Sequence, residues 1–379
     1  IAVSRGLGDV YKRQIIMAKI AQIGAGLVGK AMALDLAKQH DVFLTDFNYK
    51  ALKKVQSLNQ NIVTSCFDLN DTDQLTEFIS KSDLVLVAVP GNLGFETVQK
   101  IIKCKKNIVD ISFASENLML LNSLAKENEV TVIYDAGVAP GIPNFILGDL
   151  NKDQKVLSFK YFVGGLPIEP IPPYNYKAPF SPIDVIEEYT RPARIMRNGK
   201  LITLPALSEI VEIEYDDVGK LEAFNSDGLR SILTTMSHIP NMFIRDSRYP
   251  GHADLIVREL ESKKIQPGNK KSLEKLFEEW KLNPGEKEFT VLDVHIECES
   301  ESHNYFLYDE TERSTSISSM ARTTGYTATA TVNYLLEKGY GKHGVFPPEI
   351  ISNDTDIWID IYKYLSSRNI QISETIVKK

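Results

Sequence analysis

Between Lys19 and Asp135, six short β-branched runs alternate with helix-length segments: KIAQIG (Lys19–Gly24), VFLTD (Val42–Asp46), NIVTS (Asn61–Ser65), LVLVAV (Leu84–Val89), NIVDI (Asn107–Ile111) and VTVIYD (Val130–Asp135). Runs that are apolar on both faces suit strands covered by helices on both sides, whereas a strand with one wet face alternates. The pattern predicts βαβ units and a doubly wound, Rossmann-type parallel sheet, an α/β fold. One of the intervening helices is expected to start at Asn70-Asp71, where Gln74 is placed for a capping box.

The chain has 379 residues, and single cores rarely grow beyond about 250, so a second domain is expected. The texture changes after about Asn144. Residues 164–182 (GGLPIEPIPPYNYKAPFSP) carry too much Pro and Gly to be regular throughout. Strand-like runs follow at Ile210–Tyr215 and Phe289–Cys298, separated by a charged helical stretch, Lys271–Lys281, which reads as an α+β domain. The Thr/Ala-rich segment Met320–Glu337 reads as a helix that packs back on the first domain. The expected division is 17–145, 146–319 and 320–379. Residues 1–16 lack the apolar core of a secretory signal and the composition of a transit peptide, and SRGLGDVYKRQ resembles translated sequencing-adapter sequence. They are read as a non-native leader, with Met17 as the start.

Charge and composition narrow the function classes. A formal net charge of −7 provides no general field for nucleic acid or anionic lipid. No apolar run reaches the length of about 18 residues that a membrane span needs. Three cysteines, Cys66, Cys104 and Cys298, have neither metal nor disulfide spacing, which fits a reducing, cytoplasmic compartment. His40, His238, His295, His303 and His343 form no ligand-spaced cluster, so no metal site is expected.

The chemistry starts at Gly24-Ala25-Gly26-Leu27-Val28-Gly29, a GxGxxG motif that ends one expected strand and opens one expected helix. In that setting Gly24 makes the tight turn, Gly26 lets a pyrophosphate approach, and Gly29 permits close helix–strand packing. The helix start adds free N–H groups and the positive end of its dipole. Asp46, about 20 residues on at the end of the second run, is placed to hold a ribose 2′-hydroxyl. A carboxylate there repels a 2′-phosphate, and neither Phe47 nor Asn48 offers a cation, so NAD is expected as cofactor rather than NADP. Asp68 is a candidate for the adenine side, and Val89-Pro90 for the nicotinamide ribose.

Several stretches of the chain resemble the saccharopine reductase (saccharopine dehydrogenase) family: DAGVAPGIPN (Asp135–Asn144), VGGLP (Val163–Pro167), SRYPGH (Ser247–His252) and MARTTGYTATA (Met320–Ala330). The run YKAPFSPIDVIEEYTRPARIMRNGK (Tyr176–Lys200) is similar to the lysine 6-dehydrogenase branch. The resemblance runs from about Lys19 to Pro348. It implies an oxidoreductase of amino-acid metabolism, a homodimer or larger homo-oligomer, in which NAD accepts a hydride from the ε-amine carbon of L-lysine. The products would be 2-aminoadipate 6-semialdehyde and ammonia. It implies substrate contacts for Ser112 and Arg248, and a place facing the nicotinamide for Thr324. One departure matters: Ala139 stands where saccharopine reductases carry Asp in G-x-D-P-G, which argues for an amine smaller than saccharopine.

The proton acceptor is left between Lys177, in a Pro-flanked aromatic loop, Asp135, at the end of the sixth run, and His252. Arg191 is a candidate for the substrate carboxylate, against a plain salt bridge to Glu187 or Glu188. The rival readings are a glutamate-forming saccharopine dehydrogenase, another diamine dehydrogenase, and a non-enzymatic NAD sensor.

Overall fold

The computed structural model describes residues 17–283 and 285–379; the leader assigned to residues 1–16 lies outside them. Seven parallel strands form the first sheet. Six come from the N-terminal third: β1 (Lys19–Ile23), β2 (Asp41–Thr45), β3 (Val63–Ser65), β4 (Leu84–Val87), β5 (Asn107–Asp110) and β6 (Thr131–Ile133). Each lies within one of the six apolar runs or within a residue of it. Among the strands between, β4 is buried at every position, as a sheet covered on both faces requires. The helix Thr72–Ser80 starts where the capping box was expected: Asp71 accepts from the Gln74 backbone N–H at 3.0 Å and from Gln74 Nε2 at 2.6 Å.

The second sheet has nine strands: β7 (Val156–Pro167), β8 (Ala193–Arg197), β9 (Lys200–Leu204), β10 (Val211–Tyr215), β11 (Gly219–Asn225), β12 (Asn241–Arg248), β13 (Glu288–Cys298), β14 (Glu301–Glu310) and, after β15 (Gly344–Phe346) of the first sheet, β16 (Ile372–Lys378). The path runs β10-β11-β12-β7-β13-β14-β16, with β8 beside β12 and β9 beside β8. It is mixed: β7 and β12 run parallel, and the other pairs are antiparallel. In the Pro/Gly-rich stretch the strand persists through Pro167 before regular structure stops. Gly164 is needed there because a Cβ would come within 2.9 Å of the Ser247 carbonyl.

The order of the first sheet is β15-β6-β5-β4-β1-β2-β3, with the chain changing direction of travel between β1 and β4. In open α/β sheets ligands bind at such a switch point, beyond the carboxyl ends of the strands. The helix Ser319–Glu337 packs along the helix Leu27–Leu36 of the first domain. A single hydrophobic cluster joins that helix pair to β7, β12 and β13, so the two sheets share a core. The C-terminal segment is shared as well: β15 extends the parallel sheet beside β6, but β16 pairs with β14 of the second sheet.

Candidate active site

The switch point opens into a cavity of about 730 Å³ between the two sheets. At one end is the glycine turn. Gly24 has φ +104°, and a Cβ there would lie 2.2 Å from the Ala88 carbonyl oxygen. Gly29 packs so tightly that a Cβ would lie 2.2 Å from the Gly24 oxygen. Buried Gln22 pins both, donating to the carbonyls of Gly24 (3.0 Å) and Gly29 (2.7 Å). Gly26 differs, because a Cβ on it would meet no protein atom within 4 Å. The protein itself does not require glycine at 26. The open face lies on the cavity beside the start of the helix Leu27–Leu36, where a pyrophosphate would use the space.

Asp46 closes this end. Its Oδ2 accepts from the Ala25 N–H at 2.7 Å and its Oδ1 from the Asn48 N–H at 2.8 Å, which fixes the carboxylate at the cavity edge. Asp68, Val89 and Pro90 line the same cavity, as do Gly24, Gly26, Leu27 and Val28. Ala25 and Gly29 serve the turn from behind. The donor set therefore fits a dinucleotide along β1, β2 and β4. Among the described residues no group of three His, Cys, Asp or Glu side chains is placed to hold a metal ion, and no helix is long and apolar enough to cross a membrane.

The other end of the cavity belongs to β12, β6 and the helix Pro182–Thr190. Arg248 is buried at the end of β12. It donates from Nε to the Tyr189 hydroxyl (2.8 Å) and from Nη1 to the Ser247 carbonyl (2.9 Å), with Nη2 3.5 Å from Glu188. Its guanidinium lies 4.7 Å from the Tyr176 ring centroid. A guanidinium has five N–H donors, so one on Nη1 and one on Nη2 remain, a fork suited to a carboxylate.

His252 is behind this arginine rather than in the cavity. Its Nδ1 donates to the Tyr174 carbonyl (2.8 Å), and its Nε2 accepts from the Tyr189 hydroxyl (3.0 Å), which in turn accepts from Arg248. The chain of donors fixes a neutral imidazole. Burial, and next the Arg248 charge, push its pKa down to about 3. A depressed histidine contributes stability that is complete above its ordinary value of about 6.5 and is lost as the pH falls towards 3. Between pH 6.5 and 4.5 that amounts to roughly 2.3 kcal/mol, two units at about 1.36 kcal/mol less the part already lost at the unfolded-state midpoint. Urea unfolding at the two pH values should show wild type losing about this much more stability than His252→Gln; equal losses would contradict the neutral-histidine assignment.

Asp135 follows β6 with φ +56° and lines the cavity. Its Oδ2 accepts from Arg230 Nε (2.7 Å), while Oδ1 is buried without a partner. Burial raises its pKa, opposed by Arg230. Thr324 also lines the cavity.

The remaining candidates are elsewhere. Ser112 is buried behind the cavity wall, its Oγ donating to Asp110 Oδ2 at 2.8 Å, and it is packed so closely on Gly94 that a Cβ there would approach Oγ to 2.1 Å. Lys177 points away from the cavity: Nζ donates to the Glu279 carbonyl at 2.9 Å and is 3.8 Å from Glu286. The last turn of the helix Lys270–Trp280 has captured its ammonium, as unpaired C-terminal carbonyls do. Arg191 pairs with Glu187 and stacks over Phe113 (5.4 Å), outside the main cavity. The simple ion-pair reading therefore accounts for its side chain.

Sequence reasoning missed the acids around Arg248. Asp184 and Glu188, four apart on the helix Pro182–Thr190, and Asp246, on β12, all line the cavity. Burial is the first cause in each case: it raises Asp184 to about 6 and lifts Glu188 and Asp246 above the ordinary range. The i, i+4 spacing of Asp184 and Glu188 was the available signal. Nothing local marks Asp246. Asp110, raised to about 7 by burial, sits behind Ser112.

Comparisons with known proteins bear on the family and the fold. Residues 20–133 match the saccharopine dehydrogenase NADP binding domain, and residues 137–370 the saccharopine dehydrogenase C-terminal domain. The α-aminoadipic semialdehyde synthase of Arabidopsis thaliana is 28% identical over 142 residues, 36% of this chain and 13% of that protein. The saccharopine dehydrogenase [NADP(+), L-glutamate-forming] of Pyricularia oryzae is 25% identical over 191 residues, 48% of this chain and 42% of that one. The chain thus matches less than half the length of either relative. Among solved structures, apo saccharopine dehydrogenase (L-Glu forming) from Saccharomyces cerevisiae superimposes with a TM-score of 0.76 at 17% identity, covering 95% of this chain and all of that one, which shows a shared fold. With a pyridine-nucleotide domain joined to the matching C-terminal domain across one cavity, the chain belongs to the saccharopine dehydrogenase family of oxidoreductases.

Proposed function

We propose that the protein is an NAD-dependent amine dehydrogenase that oxidises the ε-amine of L-lysine to 2-aminoadipate 6-semialdehyde and ammonia. The observation that carries this reading is the charge of the cavity. Among the described residues, its lining holds the carboxyl groups of Asp46, Asp68, Asp135, Asp184, Glu188 and Asp246 and one cation, Arg248. The nearby Arg230 and Arg191 are paired with Asp135 and Glu187. L-lysine brings one carboxylate and two amines, so Arg248 and the surrounding acids match it group for group. Saccharopine brings three carboxylates, and two would face acids without a cation, an uncompensated burial of charge. Ala139, on the cavity wall, adds no further charge to bind a second amino-acid head.

When bound, the nicotinamide supplies the hydride acceptor. Arg248 takes the α-carboxylate on its free fork. Glu188 faces the α-amine, and Asp135, through its unpartnered Oδ1, accepts the proton that the reacting ammonium must lose. Incubation with NAD and L-lysine should release ammonia in step with NADH. Ammonia-free NADH formation, or glutamate released from saccharopine at a greater kcat/KM, would overturn this reading.

Asp46 supports NAD rather than NADP in this reading, since a fixed carboxylate at the end of β2 favours a ribose hydroxyl and repels a phosphate. The two curated relatives whose names carry a cofactor use NADP(+), so the test is direct. Asp46→Arg should move the NAD/NADP ratio of kcat/KM towards NADP by roughly 10- to 100-fold, the worth of one or two charged hydrogen bonds. A ratio unchanged in a folded variant would remove Asp46 from the cofactor site.

A further inference from the structure

Beside the main cavity is a second, much smaller chamber that the chemistry so far leaves unused. Its volume is about 20 Å³, and a single water needs roughly 10–15 Å³ measured in this way. It adjoins the main cavity, sharing Phe113, Ala139, Pro140, Glu188 and Asp246 as a common wall. A buried water also needs two or more polar partners. Two are present. Ser226 and Asp246 are 2% and 5% exposed, and the Ser226 hydroxyl lies beside the Asp246 carboxylate. Neither Ser226 Oγ nor Asp246 Oδ2 completes a hydrogen bond to another protein atom. The other charged groups of the chamber are committed: Asp227 to the Nε and Nη2 of Arg194 at 2.9 Å each, Glu187 to Arg191, and Glu188 to Arg248 Nη2 at 3.5 Å.

We infer that this chamber seats the water that hydrolyses the imine formed in the main cavity, with Asp246 receiving that water's proton. The inference rests on the amine-oxidising reading, since oxidation of a primary amine leaves R–CH=NH₂⁺, which must take up water. The water oxygen bonds to the imine carbon while one of its protons passes to Asp246, giving the neutral carbinolamine R–CH(OH)–NH₂. Asp246 returns that proton to nitrogen, the C–N bond breaks, and the hydroxyl proton leaves with the departing ammonia. The sum is R–CH=NH₂⁺ + H₂O → R–CHO + NH₄⁺. Burial raises the Asp246 carboxyl, opposed by Arg248, which makes it a better proton acceptor than an exposed aspartate.

Two measurements test this. A high-resolution crystal structure should show an ordered water within hydrogen-bond reach of Ser226 Oγ and Asp246 Oδ2, and Ser226→Val, whose methyl groups fill the chamber, should expel it. In rapid mixing with saturating NAD and L-lysine, Ser226→Val should keep a burst of reduced cofactor stoichiometric with sites at a rate within about threefold of wild type, and Asp246→Asn should keep the amplitude of that burst. Steady-state turnover should then fall about 100-fold for Asp246→Asn, the usual share of a proton acceptor. An empty chamber in the wild-type crystal, or burst and steady state falling together, would overturn the inference. If wild type reduces no NAD with L-lysine, the substrate reading fails instead. The same burst measured with saccharopine, whose oxidation also yields an imine, then decides the role of the water.

Discussion

Replacing Arg248 by Met is expected to lower kcat/KM for the amine substrate by about 1000-fold, because a buried charge pair loses one partner. Arg248 is the one cation lining the cavity among the described residues. Its loss leaves the substrate carboxylate unpaired and Glu188 and Asp246 facing each other without a counter-ion. Losing one partner of such a pair typically costs about 3–5 kcal/mol, or two to three and a half decades. Arg248→Lys separates charge from shape: it keeps the cation but not the fork, and should recover about tenfold of the loss. Dinucleotide binding, measured by fluorescence, should survive in both variants, since Arg248 lies at the far end of the cavity from the glycine turn. A Met variant within threefold of wild type would show that the substrate carboxylate binds elsewhere.

The second large effect concerns Gly26. Its missing Cβ faces open space, with no protein atom within 4 Å, and its φ of −65° suits any residue. Gly26→Val should therefore leave the cofactor-free protein about as stable as wild type, within about 1 kcal/mol. The branched side chain would occupy the approach to the helix start, and dinucleotide affinity should fall at least about 100-fold as the pyrophosphate loses those N–H groups. Gly29→Val supplies the contrast. There a Cβ would meet the Gly24 carbonyl at 2.2 Å, so the turn itself should distort and the cofactor-free protein lose several kcal/mol, about 3 or more. Thermal melts with and without NAD distinguish the two. Equal destabilisation by both substitutions would mean that the open face of Gly26 has no ligand-related role.

The parallel sheet was legible because doubly covered strands must be apolar on both faces, which leaves short, dense runs such as Leu84–Val87. The cap at Asp71 was legible because capping is local. Three features were not. β15 has three residues, Gly344–Phe346, too few to show a period, and it joins β6 from more than 200 positions away. β16 shows only one buried position in seven, because it is an edge strand with a single neighbour, β14. Asp246 is an ordinary acid on a strand, on the face it shares with Arg248, and only the crossing of β12 with the helix Pro182–Thr190 sets it beside Glu188.

Three side chains that the sequence offered to the site are each taken up by another partner, one distant and two local. Lys177 looked poised because its neighbours are Pro and aromatic residues, but its partner, the Glu279 carbonyl, is 102 positions away. Ser112 is likewise taken up by Asp110, two residues before it at the end of β5. Arg191 obeyed its local i, i+4 partner. Arg248 was found because its motif, Ser247–His252, carried it, and His252 came with it as the group that orients Tyr189 beneath the guanidinium.

The central claim is that an acidic cavity whose one lining guanidinium keeps two donors open selects a small cationic amine. The most direct test is initial-rate NADH formation at saturating NAD with L-lysine and with L-saccharopine, compared as kcat/KM. A preference for L-lysine of at least about 100-fold, the cost of two unpaired carboxylates at about 1.5 kcal/mol each, is the predicted result. An equal or greater kcat/KM for saccharopine would contradict it.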